Sequence, residues 1–75
     1  MLYKRSSFIK WLSEVKDCNV TPLKYAQGVK IMNGSASVRL WTDSKDRIDY
    51  EEIYTVIQKL WIDGLPGDSD LEKPD

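Results

Sequence analysis

The sequence predicts a small α+β domain: helix, β-hairpin or three-stranded antiparallel sheet, helix, and a disordered acidic C-terminal tail. Three observations carry this reading. Phe8, Trp11, Leu12 and Val15 recur at i, i+3, i+4 and i+7, one face of a helix. Ile53, Val56, Ile57 and Leu60 repeat that spacing near the other end. Between them, Asn33-Gly34 separates two runs whose apolar residues alternate, the strongest short hairpin signal. One domain is expected over residues 1–64 and the tail over 65–75.

The first helix is expected over residues 7–17. Lys10, Ser13, Glu14 and Lys16 take its polar face, and Ser6 or Ser7 is placed to cap its free N–H groups. If Asn33 and Gly34 form the hairpin turn, Met32 pairs with Ser35, Ile31 with Ala36, Lys30 with Ser37 and Val29 with Val38. Val29, Ile31, Ala36, Val38 and Leu40 then share one face. Lys30, Met32, Ser35, Ser37, Arg39 and Trp41 share the other. The rival reading is a helix over 22–32, opened by Thr21-Pro22 and closed by Asn33-Gly34. It would bury Gly28 in a helix interior at about 1 kcal/mol and leave the extended run 35–42 without a partner. The hairpin is therefore adopted, and residues 20–27 become an edge strand, which tolerates Pro22, or a short helical turn.

The second helix is expected over residues 50–62. Asp49 and Glu52 form the Asp variant of a capping box, and Ile48 and Ile53 its hydrophobic staple. Tyr54 and Trp61 should widen the apolar face, so Trp11 and Trp61 are both expected in the core. Gly64 should supply the left-handed stop and Pro66 prevent a restart. Beyond it, residues 66–75 hold one apolar side chain besides prolines, too few to offset ordering. The order α-β-β-α or α-β-β-β-α resembles the general shape of double-stranded-RNA-binding domains and of HicA-like toxins. Those toxins carry a catalytic His after a Gly in the sheet; this chain has no His.

Composition narrows the chemistry. A 75-residue chain with 41% hydrophobic residues supports one thin core. The longest apolar runs fall far short of a membrane span, and the N-terminus lacks a signal-peptide pattern, so no membrane association is expected. Cys18 is the sole cysteine, and a reducing, cytoplasmic setting follows as an expectation. Without His, the commonest general base and the usual Cys–His dyad are missing. Asp17 beside Cys18 disfavours a thiolate, so Cys18 is read as space-filling. Glu51 and Glu52 are about 100° apart on a helix and do not converge. Asp43, Asp46 and Asp49 do not fit a calcium loop, because alternate positions from Asp43 hold Lys45 and Arg47 and the sixth is Ile48. Neither zinc ligands nor a phosphate loop appear. No catalytic residue, metal or cofactor is expected, and the chain is read as a non-enzyme.

Binding remains. On the outer sheet face Trp41, Arg39, Met32 and Lys30 would lie together, a composition common at interface hot spots. The leading expectation is a protein-interaction module (an adapter, inhibitor or regulatory subunit) anchored by Trp41. Charge suggests the alternative. Residues 1–30 carry a net +4, while residues 63–75 carry −4. Lys4, Arg5, Lys10, Lys16 and Lys24 could meet nucleic-acid phosphates while Trp41 or Tyr25 stacks on a base. An open strand edge also makes homo-oligomers a third expectation.

Overall fold

The computed structural model describes residues 1–42 and 45–74. Its elements are β1 (Leu2–Lys4), α1 (Arg5–Glu14), β2 (Asn19–Pro22), β3 (Gly28–Asn33), β4 (Ala36–Trp41), β5 (Arg47–Asp49) and α2 (Tyr50–Lys59), followed by one 3-10 turn at Asp68–Asp70. β2, β3 and β4 form an antiparallel meander, so the expected α+β class holds and the rival helix over 22–32 is absent. β1 and β5 pair antiparallel in a separate ribbon, with Tyr3 opposite Ile48. Each of these strands has three residues, too short to show alternation in the sequence.

The core lies between the inner face of the meander and the two helices. Ile31 and Leu40 come from the sheet, Phe8, Trp11 and Leu12 from α1, and Ile53, Val56 and Ile57 from α2, with Leu60 just beyond it. Tyr3 and Ile48 extend the core into the ribbon, and Val20, Val29, Ala36 and Val38 pack on its margin. Each large apolar side chain buried here contributes about 1.5–3 kcal/mol of transfer free energy.

The hairpin closes one residue later than expected. Asn33 pairs with Ala36 and Gly34-Ser35 makes the turn, with Gly34 at φ +63°. Glycine at the first loop position is the demand of a II′ turn. Ile31 therefore faces Val38 and Val29 faces Leu40. Partners move by two residues, so the faces are unchanged, because side chains alternate with period two. Asn33 stays in the strand and its Nδ2 donates to the carbonyl of Leu60 at 2.6 Å, satisfying a group left open at the end of α2.

The helix termini also differ from expectation. α1 begins at Arg5, and neither Ser6 nor Ser7 caps it; Lys4 is the N-cap residue and makes no side-chain cap bond. Asp46 does so from across the chain. Its carbonyl accepts from Arg5 N at 3.0 Å, and its carboxylate from Ser6 N at 2.9 Å and Ser6 Oγ at 2.6 Å. α1 ends at Glu14, which leaves Val15 exposed instead of on the core face. At α2 Asp49 is the N-cap as expected and accepts from Glu51 N at 3.0 Å, but the reciprocal Glu52 bond of a capping box is not formed; the Glu52 carboxylate lies 3.9 Å from Arg5 Nη2 instead. The C-terminus of α2 does not wait for Gly64. Trp61 N donates to Gln58 O and Ile62 N to Ile57 O, each at 3.1 Å, and Trp61 has φ +55°. These are the two bonds of a Schellman motif, with tryptophan where glycine is usual. The same geometry turns the Trp61 indole outward, 84% exposed, and Tyr54 is exposed too, so neither joins the core face.

Within the tail expected over residues 65–75, residues 66–72 lie against the domain. Pro66 and Leu71 are buried, Tyr50 Oη donates to Pro66 O at 3.2 Å, and Lys4 N donates to Glu72 O at 2.7 Å. Tyr3 Oη donates to the Asp68 carboxylate. Asp75 lies outside the described residues. The Asp68 bond, then burial, then the carboxylate's charge push the Tyr3 hydroxyl up to about 12.

Two outcomes follow. Substituting Trp61→Gly relieves the left-handed strain while removing little buried surface, and should raise stability by about 1 kcal/mol in urea unfolding; a loss of stability would mean that the indole packs. Tyr3 holds its proton more tightly folded than unfolded. Its contribution to stability is therefore complete below about pH 10 and lost as pH rises through about 12. In a spectrophotometric titration one of the four tyrosines should titrate late, and Tyr3→Phe should remove that component; an unchanged late component in Tyr3→Phe would refute the assignment.

Candidate functional site

Strand alternation sends Lys30 and Met32 of β3, and Ser37, Arg39 and Trp41 of β4, to the side away from the helices. The register sets Lys30 opposite Arg39, Met32 opposite Ser37 and Gly28 opposite Trp41. Trp41 is 57% exposed, Arg39 and Met32 are exposed, and Lys30 is half-buried. All four expected contact residues therefore share one face.

The neighbourhood of Trp41 depends on Gly28. A Cβ built on Gly28 would strike the Leu40 carbonyl and come within 3.0 Å of Leu23 Cδ1 and 3.1 Å of Trp41 Cα. Hydrogen alone fits there, and this close approach draws the bend after β2 up beside Trp41. Tyr25, in that bend, is 91% exposed, with Lys24 Nζ 5.5 Å from its ring centroid. Leu23, Lys24, Tyr25, Ala26, Arg39 and Trp41 enclose a shallow recess of about 270 Å³. A second recess, of about 380 Å³, is lined by Lys30, Ser37, Val38, Arg39 and Lys59. Arg39 borders both, so an apolar, aromatic hollow adjoins a cationic one. Neither is lined by a carboxylate. Lys59 was missed from sequence because a lysine in a last helical turn reads simply as a complement to the helix dipole; no local pattern ties it to β4.

The cations proposed for phosphate contact are not assembled into one patch. Lys4 pairs with Glu72 at 3.6 Å and Lys10 with Glu14 at 3.9 Å. Lys16 donates to Asp63 O at 2.8 Å and lies over the Trp11 ring. Lys24 stands apart from these, at the outer face. Arg5 is the clear correction: it is buried, and its guanidinium donates to the carbonyls of Arg47 and Trp41. It is a structural residue, unavailable to a phosphate.

Other reactive groups are placed quietly. Cys18 is buried, and burial, followed by the charge of Asp17, pushes its thiol up, away from the reactive thiolate. Asp46 and Asp49 each hold the start of a helix, and Asp43 lies outside the described residues. Among the described residues no group of His, Cys, Asp or Glu is arranged to hold a metal ion, and no helix is long and apolar enough to cross a membrane. No family model matches the chain, and no curated protein or solved structure matches it significantly. The outline resemblance to double-stranded-RNA-binding domains and HicA-like toxins accordingly carries no function to it.

Proposed function

We propose that this chain is a non-enzymatic interaction module, an adapter, inhibitor or regulatory subunit, that docks a protein partner on the outer face of its three-stranded sheet. The observation that carries the reading is the exposure of Trp41 beside Arg39 on a face that neither helix covers. Leaving a large aromatic ring in water forgoes about 1.5–3 kcal/mol of burial, which a partner can recover. Trp, Tyr and Arg are also the residue types enriched at the energetic centres of protein interfaces, and all three border the recess at Trp41. The Trp41 backbone carbonyl is held by Arg5, so the ring projects from an ordered strand end. The alternative, nucleic-acid binding through the basic N-terminal half, is weakened by the dispersal of its cations and the burial of Arg5.

A photo-crosslinking residue at Met32, in the native cell, should give an adduct with a discrete protein. Trp41→Ala should weaken binding to that protein by about 2 kcal/mol or more and change folding stability by less than about 1 kcal/mol. Adducts to nucleic acid, or unfolding of Trp41→Ala, would contradict the proposal.

A further inference from the structure

Resting on that reading of the outer face, we infer that the partner presents an acidic segment, with carboxylates in the Lys30–Arg39–Lys59 recess and an apolar side chain against Tyr25 and Trp41. Arg39 lines both recesses, the second of which reaches the β4 edge where Val38 and Lys59 of α2 border it, so an extended segment crossing Arg39 can address both.

Charge complementarity argues for this occupant. Among the described residues no ion pair engages Lys30, Arg39 or Lys59. Lys30 and Arg39 are direct cross-strand partners, an arrangement that like charges destabilise. An anion between them relieves the repulsion, and the planar guanidinium of Arg39 can donate two parallel bonds to a carboxylate. Three acids of the C-terminal segment are engaged elsewhere: Asp68 by Tyr3, Asp70 by Gly67 N and Glu72 by Lys4. The neighbouring hollow is lined by Leu23 and Ala26 as well as the two aromatics, which suits an inserted apolar side chain.

The same features disfavour a nucleic acid. The cationic zone is one short recess, where a polynucleotide needs a groove that follows successive phosphates. The whole chain is also net −1, so no general cationic field draws in a long polyanion. A short acidic segment senses chiefly the charges within about a Debye length, roughly 8 Å at physiological salt.

The test is a backbone-amide NMR titration of the full chain with three probes. One is a peptide of Asp and Glu around a single Phe, the second its Asn/Gln counterpart, the third an oligothymidylate of equal charge. The acidic peptide should shift amides in residues 23–32 and 37–41 and bind about tenfold tighter than the neutral one, an advantage that shrinks with added salt. Arg39→Gln should cut that affinity about tenfold with spectral dispersion intact. Equal binding of the neutral peptide at the same amides would overturn the acidic segment and leave the docking face standing. Tighter binding of the oligothymidylate would overturn the segment and the protein partner together. Absent shifts, or shifts confined to other surfaces, would overturn the segment and remove support from the face.

Discussion

The Arg5 guanidinium ties together the parts of the chain that would otherwise separate. Nε and Nη2 donate to the Arg47 carbonyl at 3.1 and 2.8 Å, and Nη1 donates to the Trp41 carbonyl. Nη2 also lies 3.9 Å from a Glu52 carboxylate oxygen. One side chain at the start of α1 thus fixes the end of β4, the start of β5 and the first turn of α2. β4 and β5 belong to different sheets, so among the described residues no ladder hydrogen bonds join them. Arg5 supplies bonds that a ladder would have supplied. Burying a cation is costly unless it is fully satisfied, and here its fork is matched by two carbonyls and one acid.

That clamp also makes the outer face what it is. Trp41 is the last residue of β4, where a strand end would ordinarily fray. With its carbonyl held from the inner side, the indole is left to the outer side, across from a glycine that allows the bend at Tyr25 to approach. Arg39, one alternation earlier, reaches toward the aromatic recess on one side and toward Lys30 and Lys59 on the other. A stable, inward set of bonds therefore presents an exposed outward set of groups. Stability and the proposed binding draw on opposite sides of the same strand.

Much of this was legible in the sequence, for reasons that sort by physical range. The apolar periodicities of α1 and α2 and the alternation around Asn33-Gly34 are local, and they placed Phe8, Leu12, Ile31, Leu40, Ile53 and Ile57 in the core correctly. The face of Trp41, Arg39, Met32 and Lys30 survived a two-residue change of register because alternation has period two. The failures are long-range. Asp46 caps a helix forty residues away, which no local cap pattern around Ser6 and Ser7 could indicate. Arg5 reads as a surface cation until the carbonyls of Trp41 and Arg47 are brought to it. Trp61 reads as core by spacing, and is turned outward because the helix ends one turn early in a left-handed residue that composition assigns to glycine. Lys59 joins the recess through packing of α2 near β4 alone.

Equilibrium unfolding of Arg5→Lys tests the central claim most directly, because the charge is kept while the planar fork is lost. If the guanidinium holds the two carbonyls as described, at least one buried carbonyl loses its donor and stability should fall by about 2–3 kcal/mol. A variant within about 0.5 kcal/mol of the parent, the behaviour of an ordinary surface cation, would contradict the clamp and the positioning of Trp41 that depends on it.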